Sequence, residues 1–402
     1  MALKYYNLIS GVHDVLAIEA SLANFIAGIE NAIGEKLEPA EGEAFLKTSP
    51  KFVFVKSGGT ESDFRKTLGP LDGPFYLITS DMHNSLPAAL EILSYIRSAG
   101  KKGEILHAEP RIIAERIHAI KKASEAKRIL SRAKLGVLGK PSDWLISSDV
   151  DGAYLKKRFG TDLVEIDIKE LFSELKISHA INCSREGEIR RKSSERKGFD
   201  KTVLDGAFNV YESIKAICKR YELSGVSVRC FDMVTGIKNT GCLALALLNE
   251  EKIVAGCEGD MPALLSMTIL NALSGKSSFM ANPSIVEPKK NAVIFAHCTV
   301  SLDMAGNYRL DSHFESRLGV AICGDISKGP ATVFKLAGSL NEYFVSGAAI
   351  TTNPARENLC RTQIEVKLEK DVEYFLKRPL GNHHVICAGN YSSLVDEFFA
   401  QY

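Results

Sequence analysis

Val254-Ala-Gly-Cys257-Glu258-Gly259-Asp260-Met-Pro262 is a short apolar run that stops in a polar turn and restarts at a proline. The apolar residues suit a buried strand. The segment that follows has proline near its start and Gly275 just past its end, which is the asymmetry of a helix. Glu258 and Asp260 therefore fall between a strand's carboxyl end and a helix N-terminus, where open α/β sheets place their ligand sites.

The alternation continues upstream. Residues 51–56 read as a strand running into Ser57-Gly-Gly-Thr60-Glu61, and residues 74–79 as a strand before a helix with Leu86, Leu90, Leu93 and Ile96 on one face. Residues 103–107 give another strand, and 111–130 a basic amphipathic helix. Short apolar strands separated by helices imply right-handed crossovers and a parallel, doubly wound sheet. A second α/β block starts near Lys134, with strands expected at 135–138, 162–166, 225–231, 241–248 and 253–257 and a long helix at 202–221. After Pro283 the pattern changes to strand-like runs punctuated by glycine, asparagine and proline, at 291–295, 318–323, 331–335, 343–349, 362–368 and 384–388. Those runs fit an antiparallel barrel or sandwich. The expected division is an N-terminal α/β domain (1–134), a second α/β domain carrying Glu258 (135–283) and a β-rich C-terminal domain (284–402).

Composition narrows the function classes. The 402 residues hold 50 basic and 49 acidic side chains, a net charge of +1, so bulk electrostatics gives no case for nucleic acid or an anionic membrane. No basic leader precedes an apolar core, and no uninterrupted run of about 18 apolar residues occurs. A cytoplasmic protein without membrane or nucleic-acid partners is expected. The nine cysteines show no Cys-x-x-Cys spacing and lie in apolar runs, as buried reduced thiols do. Cys298, beside His297, is the one to test as a ligand or nucleophile. The basic run Arg190-Arg-Lys192 with Arg196-Lys197 reads as a solvated loop.

Glu258, His297 and the pair His383-His384 are carboxylate and imidazole groups at the ends of apolar runs, a set suited to a divalent cation. Adjacent residues on a strand face opposite ways, so only one of the two histidines can enter a given site while the other can support it from behind. Asp260, two residues before Pro262, suits helix capping as well as catalysis. Glu61, Asn84, Ser85, His313, Glu315, Arg361, Gln363 and Asn382 add polar groups that could contact a substrate; turn formation, helix capping and surface ion pairing are their structural alternatives.

The ordered segments Cys257-Glu258-Gly259-Asp260, Ala296-His297-Cys298 and Asn382-His383-His384, with Asn84-Ser-Leu-Pro and His313-Phe-Glu-Ser316, resemble the L-fucose/L-arabinose isomerase superfamily, in particular its fucose-isomerase-like proteins. The resemblance runs through nearly the whole chain. It implies two Rossmann-like domains followed by a β-barrel-like domain, a homo-oligomer, and a Mn²⁺-type cation serving an aldose–ketose isomerase that acts on a pentose, deoxyhexose or modified sugar through a cis-enediol. Carried over by position, Glu258 matches the first carboxylate, His297 a ligand histidine, and His383 or His384 the C-terminal ligand. Where the family has its second carboxylate this chain has Asn282, whose amide oxygen can bind a cation but cannot act as a proton-transfer base. Asp232, Asp260 or Glu315 could supply the missing charge. A metal-assisted aldolase or lyase, and a non-catalytic sugar-binding protein, are the alternatives.

Overall fold

Lys51–Val55 alternates Phe52 and Phe54 with Val53 and Val55, and both sets are buried, so this strand needs cover on both faces. In the computed structural model, which describes residues 2–177, 179–194 and 201–402, helices provide that cover. The chain forms two compact units, one of residues 1–125 with 397–402 and one of residues 126–396.

In the first unit a five-stranded parallel sheet has the order Leu37–Pro39, Leu3–Leu8, Lys51–Val55, Phe75–Ile78, Gly103–Leu106. Phe52, Phe54 and Tyr76 pack on one face with Ile18, Leu22 and Ile117, while Val53, Phe75 and Leu77 pack on the other with Phe64, Ala89 and Ile92. The helix Val15–Ile33 is long and apolar enough to cross a membrane by length and composition, with mean hydropathy 1.2. Glu19 and Glu30 interrupt its apolar run, so a search for uninterrupted stretches passes over it. Here its Ile18, Leu22, Ile29 and Ile33 are buried in the core of the unit.

The second unit holds a four-stranded parallel sheet in the order Asp162–Ile166, Lys134–Leu138, Gly225–Val228, Val254–Cys257. It also holds a closed six-stranded antiparallel barrel of Phe279–Glu287, Ala292–His297, Thr362–Leu368, Tyr343–Thr352, Gly329–Leu336 and His384–Ala388. The α/β class and the barrel agree with the expectation from the sequence. The helix Met261–Ser274 is almost wholly buried, and its Ser266 hydroxyl accepts the Leu336 N–H from the barrel at 2.9 Å.

Two strand expectations are corrected. Residues 241–248 lie in the helix Cys242–Glu250, in which every residue from Cys242 to Asn249 is buried. A segment apolar on all sides has no periodicity to separate strand from helix. The expected strand 225–231 ends at Val228, and the helix Phe231–Ile237 follows. Arg190 and Lys192 belong to the helix Glu186–Ser194, not to a loop. Arg190 pairs with Glu186 and Asp205, and Lys192 sits 3.5 Å over the Tyr308 ring. Arg196 and Lys197 lie outside the described residues.

Candidate functional site

Sheet register decides what meets at the site. Leu138, Val228 and Cys257 are aligned across neighbouring parallel strands, so the residues that follow each of them emerge at one carboxyl edge. Glu258 is the first residue past that edge, and its φ of 61° lies in the left-handed region, with Gly259 following at 70°. A Cβ at position 259 would come within 2.6 Å of the Lys140 carbonyl oxygen, so only glycine fits. A left-handed glutamate costs on the order of 1 kcal/mol or more, and here the turn aims its side chain inward. The Glu258 carbonyl accepts the Ser142 N–H at 2.9 Å, tying down the loop that carries Trp144.

The barrel rim faces this turn. Asn282 pairs with Ala296, the residue before His297, and Ala281 pairs with His384, so Asn282, His297 and His383 share one end of the barrel. Nε2 of His383 is 3.6 Å from Oε1 of Glu258, beyond hydrogen-bond length. Nδ1 of His383 is 2.9 Å from Oδ2 of Asp260, and the His297 and His383 ring centroids are 5.3 Å apart. Trp144, the only tryptophan in the chain, donates its indole N–H to Oε2 of Glu258 at 2.6 Å.

The charges follow from these contacts. Burial alone would raise Glu258, but the nearby charge of His383, together with His297 and the Trp144 hydrogen bond, outweighs it and holds the carboxylate at about 2. Burial alone would lower His383, but Asp260 and Glu258 raise it to about 9. His297 falls to about 4, first through burial and then through the His383 charge. Burial also opposes ionisation of Asp260, yet the nearby Lys335 and His383 hold it well below the usual carboxylate range. Lys335 is itself pushed down by burial; its Nζ is 3.7 Å from Asp260 and lacks a hydrogen-bond partner.

Asp260 is fully buried. It caps the helix Met261–Ser274 by accepting the Ala263 N–H at 2.8 Å, and its other oxygen meets His383. His384 faces away from Glu258. Its Nδ1 donates to the Asn382 carbonyl at 2.9 Å, Nε2 is 3.0 Å from the Tyr374 hydroxyl, and the ring packs among Phe344, Tyr374 and Phe375. Burial, then the charge of Lys335, keeps it neutral, at about 3.

His313 and Glu315 line the same cavity as Glu258, Asn282 and His297. Arg361 bonds the Ser312 carbonyl at 2.8 Å and pairs with Asp311. Gln363 is buried and bonds the backbone of Arg356 and Cys360, and Asn382 is exposed. Arg361 and Gln363 line a second cavity with Arg309, Arg317 and Arg356. Asp232 is held by Arg229 at 3.0 Å and lines a different cavity. Glu61, Asn84 and Ser85 belong to the first unit. Glu61 opens the helix Glu61–Thr67, Asn84 makes no side-chain cap bond, and the Ser85 hydroxyl is buried against the Val55 carbonyl. Trp144 and Lys335 were not expected at the site. A lone tryptophan after a strand end is a usable signal, whereas a lysine inside a strand pattern carries none.

A divalent cation fits the donors present. Oδ1 of Asn282 and Nε2 of His383 are buried without hydrogen-bond partners, and both belong to the rim facing Glu258. One donor atom each from Cys257, Glu258 and His297 also lie within 4.8 Å of one another. The fold and site thus define a mixed α/β and barrel protein with a buried carboxylate–imidazole centre at a sheet edge. No family model matches the chain. It is similar to curated sulfoquinovose isomerases. It is 24% identical to one from Alkalicoccus urumqiensis over 305 residues, covering 72% of this chain and 67% of that one. It is 25% identical to one from Priestia megaterium over 259 residues, 60% and 55%, and 25% identical to one from a Clostridium species over 340 residues, 79% and 74%. The Priestia match thus spans about half of that relative's length. These similarities support an enzyme of the aldose–ketose isomerase type, an intramolecular oxidoreductase.

Proposed function

We propose that this chain is a cation-dependent aldose–ketose isomerase of the fucose/arabinose-isomerase-like superfamily, acting on a sulfo sugar of the sulfoquinovose class. The observation that carries the reading is the convergence of Glu258, Asn282, His297 and His383, two of them with unpartnered buried donor atoms, at a sheet edge. The second cavity offers guanidinium groups to an anionic sugar: Arg309, Arg317 and Arg356 line it with no carboxylate at ion-pair distance among the described residues, alongside Asp311, Asp325 and Glu357. Guanidinium groups suit a planar or tetrahedral oxyanion.

Glu258, Asn282, His297 and His383 would hold the cation. It would supply Lewis-acid polarisation of the reacting oxygens and offset the charge of the developing enediolate. Asp260 fixes the His383 ring through Nδ1 and leaves Nε2 aimed at the centre, the role of a carboxylate behind a ligand histidine. It is a positioning residue in this reading, because it is sealed from the cavity.

Glu258 is too acidic in this setting to accept a proton readily, which suits a cation anchor. Glu315 is exposed and is the other carboxylate lining the cavity. It takes the proton from carbon 2 of the aldose, exchanges it with solvent because its carboxylate is exposed, and delivers a proton to carbon 1 while the hydroxyl proton passes from O2 to O1, so atoms balance without any co-substrate. Glu258→Gln and Glu315→Gln test the division of labour. The first variant should lose both cation retention and turnover. The second should keep the cation and lose roughly 10²–10⁴ in kcat. An active Glu315→Gln enzyme with normal kcat removes Glu315 from the mechanism.

A further inference from the structure

Cys257 ends its strand one residue before Glu258, and its sulfur lies 3.1 Å from that of Cys230, which follows the neighbouring strand at the same edge. Cys257, Glu258 and His297 are all buried, and one donor atom from each lies within 4.8 Å of the other two. The Thr299 hydroxyl engages Nδ1 of His297 at 3.0 Å, which leaves Nε2 as its donor. The cavity wall behind is also rich in thiols: Cys298 packs with Cys242 and Cys360.

From this cluster we infer a soft-cation site: Cys257 sulfur, Glu258 carboxylate and His297 imidazole form a three-donor set for a cation of the Zn²⁺ class, with the Cys230 sulfur directly behind Cys257. It goes beyond the isomerase reading and does not depend on it. Thiolate ligands select zinc-like cations over Mn²⁺ and Mg²⁺, whereas oxygen donors such as Asn282 suit the harder ions. A tetrahedral centre with Zn–S near 2.3 Å and Zn–N near 2.0 Å holds its donors roughly 3.3–3.8 Å apart. The three donors, now within 4.8 Å of one another, would close by about an ångström. Glu258 and His297 belong to both donor sets, so a soft cation displaces a hard one instead of adding to it. Zinc-class cations are therefore expected to inhibit any reaction that needs the harder ion.

Cobalt(II) titration of the cation-free full chain tests this, because thiolate coordination gives near-ultraviolet charge-transfer absorption that oxygen and nitrogen ligands do not. The wild type should show the band at one equivalent. Cys257→Ser should abolish it, and Cys387→Ser, at a buried thiol outside the cavity, should keep it. In competition titrations Cys257→Ser should weaken Zn²⁺ binding roughly a hundredfold and Mn²⁺ binding less than about threefold. X-ray absorption on zinc-loaded wild type reads the same point without any variant, with a Zn–S path near 2.3 Å expected. Cobalt or zinc bound without sulfur, no binding at all, or a band that survives Cys257→Ser would each overturn the assignment.

Discussion

Asp260→Asn separates the two jobs of Asp260. Asparagine caps helices about as well as aspartate, so the bond to the Ala263 N–H can persist while the charge facing His383 and Lys335 is removed. The buried His383 is raised from 6.5 to about 9 by Asp260 and Glu258 against the opposing effect of burial. A shift of that size corresponds to about 3 kcal/mol of stability. Because Glu258, at 3.6 Å, supplies part of it, the variant should lose about 2–3 kcal/mol at pH 6 in chelator-treated protein. The folded-state value lies above the unfolded one, so this stability is fully present below pH 6.5 and is lost as pH rises through about 9. At pH 9 the gap between wild type and variant should shrink below about 1 kcal/mol. Denaturant unfolding followed by the fluorescence of Trp144 reads the transition of the second unit, since no other tryptophan is present. A loss under about 0.5 kcal/mol at pH 6, or an equal loss at both pH values, would refute the charged Asp260–His383 pair.

The adjacent histidines should separate cleanly. His383→Gln should abolish tight cation uptake measured by equilibrium dialysis, whereas His384→Phe should keep uptake and lose about 1–3 kcal/mol by stranding the Tyr374 hydroxyl and the Asn382 carbonyl. Asn282→Asp restores a carboxylate beside His297 and should raise Mn²⁺ affinity at least about tenfold in calorimetric titration; unchanged affinity would mean that Oδ1 of Asn282 does not face the cation.

How much of this was legible in the sequence depends on the range of the forces involved. The polar turn after Val254–Cys257 and the proline and glycine around Met261–Ser274 are local signals, and they placed Glu258 at the sheet edge. The barrel strands showed through turn residues and strand-length apolar runs. The helix Cys242–Glu250 did not, because burial on every side erases its period. The strand Leu3–Leu8 pairs on both sides within the sheet, yet its Lys-Tyr-Tyr-Asn sequence gives a weak apolar signal. Within the site, the choice between His383 and His384 needed the barrel register, which turns one ring toward Glu258 and the other into an aromatic cluster. Lys335 and Asp260 come together only through packing of the helix against the barrel, with no spacing rule to announce it.

The buried centre at Glu258 is proposed to hold a divalent cation that supports aldose–ketose interconversion. Its most direct test is to incubate chelator-stripped protein with sulfoquinovose in D₂O, with and without added Mn²⁺, and to follow ketose formation and carbon-bound deuterium by NMR. The account predicts ketose with deuterium at carbon 1 only when the cation is present, and none with Glu258→Gln. Ketose formed equally well by the stripped protein, or by Glu258→Gln, would contradict it.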